Sequence, residues 1–550
     1  MRDRISKAGN NTRVAWLAAT TILLLAALNA GWVLAHVPAM IGVDSWDFYP
    51  ASIHYYRYLQ GVEDVGFDPV AAVGSYRGPL FHWASMPLPL LFGGGLWAFA
   101  ITNIFFTIGL LALVWFAGRR LHGDWAGWLA LLMLGTTPVI VHGARSYNLE
   151  IPLATLVTLS VVCLLAADRL QKTWWALGFG LAAGAAMLVK GVAFLYFLPP
   201  LLGAWIELFA ARRWPRPGET RPSWIKALAT TALALAAAAG VSLLWYRDHF
   251  THLSETIFHQ IGNYWEIYEP LRTEGGASVW QQILVEAAPL VLLLGAIGMI
   301  GLTRRRRPGW GVLLAWGIVP ALGFLSGPAD FARFLSAAFP AFALAGGIAL
   351  ARLPWEAKRT KVLLAAVVLS CAFYAAASLL PVRDNRAPLS VTPSQYFDWP
   401  DREIILETIG KETRDIAAPT IAVYAAGNLT TVPPKVYYSY LALAFPRARI
   451  YAAVHDDNFG YRFREFCGHL PAADALIVVE QRPDAAGVEH PGMAPPPLAS
   501  TGQAALAACL AQMERVQNDY RPALRLLPRA PQHAGGVRVY IKASAGDAPG

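Results

Sequence analysis

The chain has 550 residues, of which 56% are hydrophobic and 15% charged, and its formal charge is +9. Such apolar content excludes a soluble multidomain enzyme. The charge does not imply nucleic acid either: residues 382–550 hold 17 basic and 17 acidic side chains, so the excess lies in the apolar part, where it sets topology and meets anionic lipid headgroups.

In chain order, eleven apolar stretches lie near 14–36, 96–117, 125–142, 148–167, 174–189, 192–210, 226–246, 280–302, 310–327, 333–351 and 361–381. Each is about long enough to cross a bilayer core of ~30 Å. The basic front at residues 1–13 resembles that of a signal peptide, but the apolar run after it is too long for one, so the first span is read as uncleaved. With a cytoplasmic N-terminus, the even-numbered connections carry Arg119, Arg120, Arg169, Lys172, Arg212, Arg213, the four arginines Arg304 to Arg307, Arg352 and Lys358, as the positive-inside rule requires. Two external connections are long. The first, near 38–95, opens with Asp44-Ser45-Trp46-Asp47, is dense in aromatic residues and is broken by Pro79, Pro87 and Pro89, a composition suited to short interfacial helices. The second, near 247–279, reads as an interfacial helix through Tyr264, Trp265 and Tyr268.

Beyond Pro381 the composition changes. Residues 420–424, 449–454, 475–480 and 537–542 are predicted strands, and 437–445, 461–469 and 504–516 predicted helices. The expected fold class is therefore an all-α polytopic membrane domain, residues 1–381, followed by a small extracytoplasmic α/β domain, residues 382–550. Cys163 and Cys371 lie inside predicted spans and are read as packing residues, while Cys467 and Cys509 share the C-terminal segment, where a disulfide is left open.

Against the sidedness of charge, the external side holds few cations: Arg57 and Arg77 in the first loop, and Arg145, Lys190, Arg247, Arg272 and Arg333 at span ends. A cation there works against both topology and desolvation, and an anionic ligand on that face is the economical explanation. Lys190-Gly191 interrupts an otherwise apolar hairpin, which costs about 2–3 kcal/mol unless the ammonium snorkels to headgroups. Asp44, just beyond the first span, is placed to act as a general base, with the alternative that Asp44 or Ser45 caps the helix that follows. Asp47 shares its helical face or serves as a first-turn acid. The turn Gly143 to Pro152 sets Arg145 and Glu150 at one depth, either as a functional acid and cation or as an interfacial ion pair. Two motifs are discounted. Gly178-Phe179-Gly180-Leu181-Ala182-Ala183 matches a dinucleotide fingerprint by letters but has no preceding strand, so its small residues are assigned to helix packing. His252, Glu255 and His259 lack a fourth ligand, and no metal site is expected.

Together these residues resemble the GT-C superfamily of integral-membrane glycosyltransferases, in particular the protein O-mannosyltransferases and the bacterial aminoarabinose and related lipid-sugar transferases. The resemblance is carried by Gly42-Val43-Asp44-Ser45, by Arg145 to Leu153 with Glu150 where Asp is commoner, by Leu188-Val189-Lys190-Gly191 and by Arg333-Phe334-Leu335. It covers roughly residues 14–380. Ser45 stands where a second acid is usual, and Arg77-Gly78-Pro79 where the aminoarabinose branch has Lys-Pro-Pro, which leaves the sugar open. The resemblance implies transfer of a monosaccharide from a polyprenyl-phosphate donor to a lipid, glycan or protein acceptor, at the outer face of a bacterial inner membrane. Asp44 would act as base with inversion at the anomeric carbon, Asp47 and Glu150 would be accessory acids, and Arg57, Arg77, Arg145, Lys190 and Arg333 would hold the phosphate. No cofactor or metal is implied, because the leaving group is already a phosphate. The competing class is a transporter or flippase of a lipid-linked sugar or phospholipid. It predicts charges near the midplane and often an internal repeat, and neither is evident.

Overall fold

The computed structural model describes residues 2–36, 45–62, 77–215, 221–247, 289–325, 335–352, 365–372, 374–375, 402–425, 434–453, 470–479, 520–526 and 537–542. The chain forms two compact units. One comprises Met1–His36, Tyr76–Phe81 and Ala100–Ser394, and the other Val37–Ser75, His82–Phe99 and Gln395–Gly550.

The first unit is a helical bundle. Its helices Arg2–His36, Thr102–His122, Asp124–Gly135, Pro138–Arg145, Glu150–Ala166, Thr173–Met187, Phe194–Arg213, Trp224–Tyr246, Pro289–Arg304, Trp310–Leu325 and Phe339–Ala351 coincide with the predicted spans, and helical residues 365–372 fall within the last. Among the described residues, Thr12–Ala35, Leu96–His122, Gly191–Arg213 and Trp224–Tyr246 are each long and apolar enough to cross a bilayer unaided. One predicted span is broken by its own sequence. The predicted span at 125–142 is a pair of helices bent by 66° between Gly135 and Pro138. Pro138 has no N–H to give, and the hydroxyls of Thr136 and Thr137 donate to the carbonyls of Leu132 and Met133 at 2.8 and 2.7 Å, so the break adds donors where the ladder loses them.

Helix pairs approach closely where side chains are small. A methyl on Gly180 would meet the Ala234 carbonyl carbon at 2.8 Å, and one on Gly184 the Ala238 oxygen at 2.7 Å, which joins the helix Thr173–Met187 to Trp224–Tyr246. The fingerprint-like glycines are therefore packing residues, as expected. Cys163 is buried as expected, but Cys371 is exposed and so is not a packing residue; Cys467 and Cys509 lie outside the described residues. Glu207, 5% exposed within the helix Phe194–Arg213, accepts from the backbone N–H groups of Gly309, Gly311 and Val312 at 3.0, 2.7 and 3.1 Å. It thereby satisfies the orphan donors that open the helix Trp310–Leu325.

The second unit contains helices in the first long connection, Ser45–Leu59 and Pro87–Phe92 among them, and a five-stranded sheet, while the interfacial helix expected through Tyr264, Trp265 and Tyr268 lies outside the described residues. The strands β1 (Thr420–Ala425), β2 (Arg449–Ala453), β3 (Ala475–Val479), β4 (Tyr520–Leu526) and β5 (Val537–Lys542) lie in the order β2-β1-β3-β5-β4. The first three are parallel, and β5 and β4 add antiparallel. The helix Pro434–Ala444 lies between β1 and β2 in sequence and buries Tyr438, Leu441 and Ala442. β4 is absent from the sequence reading. Pro522 argues against a strand interior, but β4 is an edge strand whose register shifts between Pro522 and Leu524, the setting in which a strand tolerates proline.

Candidate active site

The site in the first unit is built on a chain break. The helix Thr173–Met187 ends before Lys190, whose backbone is extended at φ −150 and ψ 121, and a single 3-10 turn, Gly191–Ala193, leads into Phe194–Arg213. The break leaves the Leu188 carbonyl outside any helical ladder, and it accepts from the N–H of Leu80 at 3.1 Å. Gly78 lies flat against the same peptide: a methyl there would run into the Leu188 carbonyl carbon and Cα at 2.5 and 2.6 Å. Only glycine permits this approach of two backbones. The Arg77-Gly78-Pro79 segment is thus docked on Leu188-Val189-Lys190-Gly191, and two of the cation motifs become neighbours.

Phe81, three residues beyond Gly78, packs on Tyr147 with ring centroids 4.6 Å apart, both side chains fully buried. That contact brings the Arg145-to-Glu150 turn to the same place. Glu150 opens the helix Glu150–Ala166, where a carboxylate is favoured by the helix dipole, and its backbone N–H donates to the Asn148 side-chain oxygen at 3.2 Å. Its own side chain accepts from Lys190 Nζ at 3.3 Å, with the lysine side chain 13% exposed and the glutamate 7%. Each charge neutralises the other where water is scarce, so an ammonium is held ready inside an apolar hairpin.

Arg145 points elsewhere. Its Nε donates to Asn29 Oδ1 at 2.8 Å, and its guanidinium carbon lies 4.9 Å from the Trp32 ring centroid and 5.2 Å from that of Tyr374. Tyr374 also donates to Asn29 Oδ1 at 3.0 Å, so Asn29 joins the first helix to the turn and to the helical residues 374–375. Arg57 belongs to the second unit. It is 1% exposed and donates to the carbonyls of Ala442, Phe445 and Pro446 at 3.1, 3.3 and 3.2 Å, and to Ala448. There it caps the C-terminal end of the helix Pro434–Ala444, a task different from the phosphate contact expected of it. Asp44 and Arg333 lie outside the described residues, as do His252, Glu255 and His259; Asp47 falls in the first turn of the helix Ser45–Leu59.

One residue of this neighbourhood escaped the sequence reading. Asn103, wholly buried in the first turn of the helix Thr102–His122, points its amide nitrogen into the Arg145-to-Glu150 turn. A lone amide near the start of an apolar span was the available signal.

Residues 76–245 match a family model described as dolichyl-phosphate-mannose-protein mannosyltransferase, a segment that contains Arg77, Arg145, Glu150 and Lys190. YycA of Bacillus subtilis (strain 168), which carries a provisional mannosyltransferase name, is 26% identical over 179 residues, 32% of this chain and 24% of that protein. The chain therefore aligns with about a quarter of the length of this curated relative. Two crystal structures of ArnT from Cupriavidus metallidurans share the fold. The apo form superposes with a TM-score of 0.60 at 15% identity, covering 98% of this chain and 99% of that one. The form bound to undecaprenyl phosphate gives 0.55 at 16% identity with the same coverage, 98% and 99%.

Proposed function

The chain is built on the GT-C fold of integral-membrane glycosyltransferases, and on that premise we propose that it moves a monosaccharide from a polyprenyl-phosphate donor to a lipid, glycan or protein acceptor at the outer face of a bacterial inner membrane. The observation that carries the proposal is the buried Lys190–Glu150 pair at 3.3 Å, set on the peptide against which Gly78 docks Arg77. An acid beside the cation fixes where the ammonium points, which suits a transferase, whose transition state places new negative charge at one defined position on the leaving phosphate.

Lys190 and Arg77 hold the donor phosphate together with Arg333, while Arg145, engaged by Asn29, Trp32 and Tyr374, adds to the positive field at longer range. Their contacts strengthen as negative charge develops on the departing polyprenyl phosphate, so they act on the transition state as well as on binding. Glu150 aims the Lys190 ammonium. Asp44 removes the proton of the acceptor hydroxyl or amine as that group attacks the anomeric carbon, which inverts the centre in one displacement. The undecaprenyl phosphate in one ArnT structure and the dolichyl-phosphate-mannose description of the matching family support a lipid-phosphate donor.

The test is transfer by purified protein, with polyprenyl-phosphate mannose and polyprenyl-phosphate aminoarabinose offered in turn to extracted envelope lipids and proteins. Wild type should label an acceptor from one of these donors, and Asp44→Asn should lower turnover by about 100-fold or more with donor binding retained. Asn caps a helix about as well as Asp, so a purely structural Asp44 would leave the rate unchanged. That result would move the base to Asp47 or Glu150.

A further inference from the structure

We propose that Asn103 is a positioning residue for the reaction, which sets the Arg145-to-Glu150 turn and through it the carboxylate that holds Lys190. The inference rests on the transferase reading above.

The turn is short of donors. Between the helices Pro138–Arg145 and Glu150–Ala166 the backbone must reverse, and the carbonyls of Gly143, Ser146 and Asn148 face inward. Asn103 Nδ2 lies 3.1, 2.6 and 3.0 Å from the three oxygens, so its two N–H groups are shared among them, from a helix packed alongside. Asn103 itself is 0% exposed, so no water competes for those carbonyls from its side. A second layer of bonds carries this placement to the acid. Asn148, held by its carbonyl, turns its side-chain oxygen to the Glu150 N–H at 3.2 Å and its amide to Ser146 Oγ, while Ser146 Oγ donates to the His142 carbonyl at 2.9 Å. Glu150 then meets Lys190 at 3.3 Å. The path from Asn103 to the ammonium is therefore an unbroken set of hydrogen bonds through one rigid turn.

The side-chain chemistry is narrow. The position demands donors on a short stem among three acceptors. Asp would set oxygen against oxygen, Gln would carry its amide too far by one methylene, and Leu would leave the three carbonyls unmatched in a dry place. A residue needed only to close the helix packing would have no such requirement.

The experiment is a kinetic cycle on the full-length purified protein, using the polyprenyl-phosphate sugar that wild type turns over. Asn103→Ala should lower kcat by about 10- to 100-fold, the loss associated with misplacing a catalytic group by about 1 Å, while the donor KM moves less than about threefold. In Asn103→Ala/Glu150→Gln the rate should be no lower than in Glu150→Gln alone, because the first residue acts through the second. Should Asn103→Ala not fold, Asn103→Ser, with one donor retained, carries the same cycle. Multiplicative losses in the double variant, or KM and kcat changing together, would show that Asn103 only supports packing and overturn the role. An inactive wild type would refute the transferase reading, and this role with it; an active wild type with multiplicative losses refutes the role alone.

Discussion

Removing either member of the Lys190–Glu150 pair should unbalance the bundle, and removing both should largely restore it. At 3.3 Å and an effective dielectric near 20, the mutual attraction amounts to about 5 kcal/mol before desolvation is charged against it. With the two side chains 13% and 7% exposed, little water is at hand to take over when one partner is lost. Glu150→Gln leaves a buried ammonium facing a neutral amide and should destabilise by about 3–5 kcal/mol. Lys190→Met leaves a carboxylate at the first position of a helix, where the dipole returns up to ~1 kcal/mol, so its cost should be the smaller of the two. Glu150→Gln/Lys190→Met removes both charges and should return to within about 1–2 kcal/mol of wild type, a coupling of about 3 kcal/mol or more. Transfer should fall in all three variants by about 10-fold or more, since each lacks the aimed cation. The assay is unfolding by SDS in mixed micelles followed by tryptophan fluorescence, with turnover measured in parallel. Additive losses in the double variant would mean that the pair is solvated and makes no buried contact. Wild-type turnover in the stable double variant would refute the phosphate-holding role.

Two further outcomes follow from backbone contacts. Gly78→Ala should cost about 1–3 kcal/mol of stability and loosen donor binding, because the new methyl meets the Leu188 peptide, which cannot move aside as a flexible side chain would; a variant with unchanged melting and donor KM would show that the two segments are not docked. Glu207→Gln should cost about 1.5–3 kcal/mol, since the amide turns a donor toward backbone N–H groups that now meet a carboxylate, while turnover per folded molecule is retained; a parallel loss of turnover, measured on the monodisperse fraction, would count against a purely structural Glu207.

The membrane spans were legible in the sequence because the bilayer imposes a local rule: every backbone polar group must be satisfied within its own helix, and the flanking side chains must be apolar over about 20 residues. Strands β1, β2, β3 and β5 were legible for a similar reason, as short β-branched runs between turn residues. Lys190 was conspicuous as a charge inside an apolar hairpin, and Glu150 as an acid at a helix start. Their partnership was not, because it joins positions 40 residues apart, and periodicity reports which face is apolar but never what covers it. The same limit hid the use of Arg57, whose acceptors lie 385 to 391 residues further along the chain. It hid β4 as well, whose proline is acceptable only because the strand lies at the sheet's edge. Asn103 carries no local signal beyond its polarity, since the three carbonyls that give it a purpose belong to a turn about 40 residues away. Local composition thus determined which segments form apolar helices and which charges are out of place among them, while tertiary packing alone decided which of those charges meet, because a buried ion pair or amide is defined by partners that only the folded chain brings within 3 or 4 Å.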